Sequence, residues 1–231
     1  MQPELHPRGT YPVAGEMGLA QQRVLRNTYL LLALTMVPTV IGAMLGIQFG
    51  GIMTQNPIMT TVVLLAGVIG LQFAIAKNRD NGLGVALLLG MTFILGFFLG
   101  PLLTAALSLR NGPQLVGFAA VGTGAIFFIM AGIATTTKRD FSFMGKSLFV
   151  GMIVLLLLMV ANMFLQIPAL ALTISTLVIV VFSGFLLYDL QRIVRGGETN
   201  YIMATTGVYM SLFNIFANLL QLLMAFGGEK D

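Results

Sequence analysis

The 231-residue chain has no cysteine and one histidine, His6, and only 9% of its residues are charged. Without cysteine there are no disulfides, thiolate zinc sites, iron–sulfur clusters or thiol nucleophiles. A lone histidine in a polar N-terminal stretch leaves histidine-ligated metals, a Ser-His-Asp triad and imidazole proton relays without material. A cation site would have to use oxygen ligands, which suits calcium, sodium, potassium or protons. The scarcity of charge excludes more. An ordinary soluble domain carries about 25% charged residues. Here eight acids and twelve bases would have to cover a chain that is 57% hydrophobic. Mean hydropathy is +0.94. This is the composition of an integral membrane protein, and the net charge of +4 carries topology information rather than a nucleic-acid signal.

Residues 1–27 are polar and hold Pro3, Pro7, Pro12, Gly9, Gly15 and Gly18. They read as a flexible N-terminal tail running into a short amphipathic lead-in. A secretory signal would place an apolar stretch and a cleavage site here. The first apolar stretch begins instead at Thr28, so the reading is of a chain with nothing removed. Seven apolar segments follow, at about 28–49, 58–76, 83–107, 114–134, 147–165, 168–190 and 202–226. Each is long enough to cross a hydrocarbon core of roughly 30 Å as a helix. The split at Pro168 is required by length, because 147–190 is almost continuously apolar and too long for one crossing. The expected fold is therefore all-α. It comprises the tail 1–27, a seven-helix transmembrane domain over 28–226 and a short outward-facing tail 227–231.

Short connections with turn residues make consecutive segments antiparallel neighbours. Arg8, Arg23, Arg26, Lys77, Arg79, Lys138, Arg139, Lys146, Arg192 and Arg195 then share the side of the N-terminus, and only Arg110 and Lys230 fall opposite. That bias predicts a cytoplasmic N-terminus and an outward C-terminus. Gly42-xxx-Gly46 and Gly96-xxx-Gly100 are small-residue motifs that allow close helix approach, and ordinary packing is the favoured reading of both.

Only one acid falls within a predicted span. Asp189, in FSGFLLYDLQRIVRGG, lies six residues before Arg195, roughly 9 Å along a helix. Two readings stand open. The carboxylate pairs with Arg192 three residues on, or it is a titratable cation or proton site. The last segment adds a stripe of Ala204, Gly207, Ser211, Asn214, Asn218 and Gln221 on an arc about 100° wide. A small-and-polar face must be buried, which predicts a central position for this helix. Asn214 and Asn218 read as interhelical hydrogen-bonding groups, with a polar pore lining as the alternative, and Asn162 and Ser183 could join either. Ser211 stays open. HExxH, GxSxG beside a base, a Walker motif and a pair of intramembrane acids are all missing from the sequence, so the chain reads as a non-enzyme.

The runs VLRNTYLLLALT (24–35), TTTKRDFSFMG (135–145), VANMFLQIPALALTIS (160–175) and GGETNYIMATTGVYMSLFNIF (196–216) resemble the Bax-inhibitor (transmembrane Bax inhibitor motif) family, in particular its bacterial YccA-type branch. The resemblance covers the chain from residue 24 onward and implies a seven-helix bundle with the final helix in the centre. It also implies two activities. One is a pH-sensitive calcium leak controlled in some members by two aspartates on the last two helices, which share a proton at low pH and repel when ionised. Asp189 matches the first position. Ser211 stands at the second, and a serine cannot supply the second charge. The other is association with the membrane-anchored AAA+ protease FtsH and restraint of its proteolysis, which the branch implies for this chain. No cofactor is implied, apart from calcium as a transported or sensed ion. No metal site is assigned.

Overall fold

A computed structural model of the chain describes residues 18–229, so the expectations for the first 17 residues and for the last two lie outside the described residues. The described chain is helical throughout, without strands: α1 Leu19–Phe49, α2 Gly51–Gln55, α3 Pro57–Lys77, α4 Gly82–Phe98, α5 Gly100–Leu107, α6 Gly112–Thr136, α7 Met144–Leu165, α8 Pro168–Val194 and α9 Tyr201–Gly227. With α4 and α5 counted as one stretch, seven are long and apolar enough to cross a membrane. The protein is a polytopic membrane bundle.

Local chemistry sets the boundaries. Proline occupies the first turn of α3, α5, α6 and α8, where its missing N–H costs nothing. The Asn81 side chain accepts from Leu83 N and Gly84 N to start α4, and Asn200 does the same for Ile202 N and Met203 N at α9. The predicted break before Pro168 is present. Gln166 there turns left-handed at φ 51° and donates to Asn162 O at 2.8 Å.

Two features differ from the sequence expectation. Residues 19–27, read from the sequence as the end of the tail, form the first turns of α1. The third span is broken at Leu99, since Pro101 cannot donate a backbone bond and its ring crowds the carbonyl four residues back.

The last helix is the hub. It packs on α1, α3, α4, α5, α6 and α8, whereas α7 leans on α8. Val208, Tyr209, Ile215 and Leu220 of α9 are fully buried, while Ala204, Ser211 and Asn218 bury the small-and-polar stripe. At the periphery the apolar side chains face outward, Phe73 of α3 and Phe149, Leu157 and Phe164 of α7 among them, as a lipid environment allows.

The tightest seam joins α1 to the broken third span. A Cβ on Gly42 or Gly46 would strike the backbone at Phe93 and Phe97, and one on Gly96 or Gly100 would strike the backbone at Thr39 and Gly46. The two glycine motifs thus face one another, and the absence of four side chains lets the helix backbones touch. Beside the seam, Tyr209 OH and Thr39 Oγ1 share a hydrogen bond of 2.8 Å that ties α9 to α1, and Tyr209 OH reaches Thr92 O of α4 at 3.4 Å.

The loops at one end of the bundle interlock. Asn200 Nδ2 donates to Arg79 O and Asp80 Oδ1, joining the turn before α9 to the turn after α3. The buried Gln191 of α8 donates to Arg139 O and accepts from Phe141 N, holding the α6–α7 loop. Most of the cations gather at this end. At the other, Arg110 N donates to Glu229 O and Asn111 Nδ2 to Gly227 O.

Candidate functional site

Asp189 lies on α8, five residues before its C-terminal Val194, and its partner on α9 is a residue without a side chain. A Cβ built on Gly207 would lie 2.6 Å from Asp189 Oδ2. Glycine at 207 is therefore what admits the carboxylate against the backbone of the central helix. The pairing with Arg192 does not form. Among the described residues no ion pair engages Asp189. Arg192 instead meets Glu198 at 3.1 Å and stacks over the Tyr188 ring at 5.6 Å.

The turn after α8 explains that choice. Gly196 takes φ +77°, a left-handed conformation that glycine adopts without steric cost. The chain folds back so that Gly197 N and Glu198 N both donate to Arg192 O. The Glu198 carboxylate is thereby delivered to the Arg192 guanidinium, and its other oxygen accepts from Asn200 N. The pair is charge-assisted and locked at both backbone and side chain.

Ser211 follows Gly207 by one turn of α9, about 40° further round, and is buried. The face of α9 that meets Asp189 thus carries a glycine and one turn on a serine, neither of them ionisable.

The other polar candidates fall in different places. Asn214 is half-buried and Asn218 buried, but among the described residues neither amide bonds across helices. Asn214 Nδ2 donates to Met210 O at 2.8 Å and Asn218 Nδ2 to Asn214 O at 2.9 Å, both within α9. An amide four residues along from a carbonyl reaches it more cheaply than a neighbouring helix does. Asn162 is half-buried in the last turn of α7, where its Oδ1 accepts from Ile167 N at 3.1 Å. Ser183 is half-buried on α8.

The cross-helix polar contacts come from residues the sequence reading did not single out: Tyr209 with Thr39, and Thr205 Oγ1, which reaches Thr28 O at 3.4 Å. The available signal was the tyrosine itself, since a buried phenol in an apolar helix needs a partner for its hydroxyl.

These features define a class: a seven-span membrane bundle built around its last helix, with one span carboxylate held against that helix at a glycine. Comparison with known proteins narrows it. The family model described as "Inhibitor of apoptosis-promoting Bax1" matches residues 21–228, and the chain belongs to this Bax-inhibitor family. The protein of Escherichia coli strain K12 named "Modulator of FtsH protease YccA" is 40% identical over 205 residues, covering 89% of this chain and 91% of its own. Its counterpart in an O6:H1 strain, named "Inner membrane protein YccA", shows the same identity and coverage. An "Uncharacterized membrane protein" of Vibrio cholerae is 38% identical over 208 residues, or 90% of this chain and 92% of its own.

Proposed function

We propose that this protein is an inner-membrane interaction protein, not an enzyme, that associates directly with an FtsH-type membrane-anchored AAA+ protease and restrains its proteolysis of membrane proteins. The observation that carries the reading is 40% identity, across nearly the whole of both chains, with a protein named as a modulator of that protease. The bundle supports it physically. A protein that engages an extracting ATPase without being consumed must be costly to pull apart, and the glycine seam and the buried central helix make it so. In this reading the cation-rich end faces the cytoplasm, by the positive-inside rule, and presents the polar N-terminal stretch to the protease. The test is co-reconstitution of the two proteins with a membrane substrate. Co-purification and slowed substrate degradation are expected. Normal degradation at saturating amounts of this protein overturns the reading, and loss of restraint on deleting residues 1–17 would assign the handle to that stretch.

One observation favours a second reading. Asp189 lies within a span and forms no ion pair among the described residues. A carboxylate so placed fits a pH-sensitive calcium or cation leak. Calcium flux into liposomes at about pH 6 and about pH 8, comparing wild type with Asp189→Asn, tests it. A protein-dependent flux that changes with pH and in the variant is expected, and flux no greater than in empty liposomes removes the reading.

A further inference from the structure

The α6–α7 loop, residues 137–143, displays two cations. Lys138 and Arg139 are exposed, and neither forms an ion pair among the described residues. The one acid in the loop is turned away from them. Asp140 Oδ1 accepts from Ser142 N and from Ser142 Oγ, and Arg195 stands 3.8 Å from it.

The loop backbone is clamped from α8. Arg195 donates to Lys138 O at 2.8 Å and to Arg139 O at 2.6 Å, and Gln191 donates to Arg139 O and accepts from Phe141 N. Phe141 packs against the main core. Two residues on, Phe143 is 74% exposed, one position before α7 begins. The carbonyls of the two basic residues are thus occupied and their side chains are exposed, and an exposed aromatic ring follows four residues after Arg139, at the edge of two apolar spans.

We infer that this loop is a binding site for the headgroup of an anionic phospholipid, with Lys138 and Arg139 on the phosphate and Phe143 against the acyl chains. Fixed positive charge at the end of a span, combined with an aromatic side chain at headgroup level, recognises a lipid of that charge. A soluble acidic partner would leave Phe143 in water. A neutral lipid would leave the cations without a counter-charge. The clamp matters because ordering the loop in advance lowers the entropy lost on binding. Nothing here depends on the protease reading.

The test is binding of phosphatidylglycerol to the purified full chain in detergent, measured by native mass spectrometry, with phosphatidylcholine as the neutral probe. Each basic group at an anionic surface strengthens binding about fivefold, so K138Q/R139Q should weaken phosphatidylglycerol binding about thirtyfold. R110Q at the opposite end should leave it unchanged. The charge-preserving variant K138R/R139K should keep most of the affinity, which separates lost charge from lost fold. The inference fails if K138Q/R139Q binds phosphatidylglycerol as wild type does, or if phosphatidylcholine binds equally well. It also fails if inorganic phosphate displaces the lipid, which would make this a free-anion site. Unchanged lipid binding together with lost protease co-purification in K138Q/R139Q would assign the loop to an acidic protein face and likewise overturn it.

Discussion

Gly96→Ala is the sharpest test of how the bundle is held. A Cβ there meets the Thr39 carbonyl oxygen, carbonyl carbon and Cα, all backbone atoms, so no rotamer change relieves the contact and α1 must move away from α4. Overpacking of this kind costs about 1–3 kcal/mol. Moving Thr39 also stretches its 2.8 Å hydrogen bond to the buried Tyr209 hydroxyl. Losing that bond, with the buried hydroxyl left only its 3.4 Å contact to Thr92 O, costs about 1–3 kcal/mol more. Alanine returns about 1 kcal/mol through its helix propensity, for a net loss of about 3 kcal/mol. The control lies on the same helix. Gly90 has open space where its Cβ would stand, so Gly90→Ala meets no clash and should gain up to about 1 kcal/mol. The two variants, identical in chemistry and six residues apart, should therefore differ by about 4 kcal/mol. Reversible unfolding by SDS in mixed micelles reads the difference directly. Equal unfolding midpoints for Gly96→Ala and Gly90→Ala would refute the backbone-contact account of the seam.

Asn200→Ala removes both the cap of α9 and its bonds to Arg79 O and Asp80 Oδ1, and should cost about 1–2 kcal/mol, with faster hydrogen exchange in the first turn of α9. Gly207→Ala should displace the Asp189 carboxylate, whose Oδ2 would lie 2.6 Å from the added Cβ, and destabilise the α8–α9 pair, an effect that Asp189→Gly made in the same chain should largely relieve. The Ser142 hydroxyl and amide, followed by the Arg195 charge, hold the exposed Asp140 carboxyl below its ordinary value of 3.8. A carboxylate lowered in the folded state contributes stability above that value and loses it as pH falls through its folded value. The protection of the α6–α7 loop amides against hydrogen exchange, taken relative to the intrinsic rate at each pH, should therefore fall on going from about pH 5 to about pH 2 in wild type and change less in Asp140→Asn.

The features set by composition and spacing were legible before any coordinates. Spans of sufficient length, the break at Pro168 and the burial of the last helix follow from hydropathy and from one polar stripe read at helical period. The two glycine motifs are visible as places where helices can approach closely, but ordinary packing is the favoured reading, and that they face one another in a single seam comes from the structure. What escaped the sequence depends on residues far apart in the chain or on local backbone reversal. Tyr209 and Thr39 are 170 positions apart, and no periodicity joins them. Arg192 is three residues from Asp189, an i,i+3 spacing that suggests a pair, yet the left-handed turn at Gly196 brings Glu198 to it instead. The asparagines read as cross-helix groups because their position on the helix could be inferred. The direction of each amide could not, and in Asn214 and Asn218 it points back along α9.

The chemistry at Asp189 bears on which functional reading the bundle can accommodate. A gate worked by carboxylate repulsion needs two acids close enough to share a proton. On α9 the residue at the Asp189 contact is Gly207, and the position one turn on is Ser211, so that face of α9 supplies no second carboxylate to repel it. A leak through this chain would then have to work without that repulsion, and would have to open a helix pair whose contact is already backbone against side chain. Restraint of a protease asks the opposite of the same seam. It requires that α8 and α9 stay together under load, and a small residue opposite a carboxylate serves close packing without requiring that the contact ever open. The geometry around Asp189 therefore weighs toward a bundle built to stay closed, and the leak reading stands or falls on flux measured in the isolated protein.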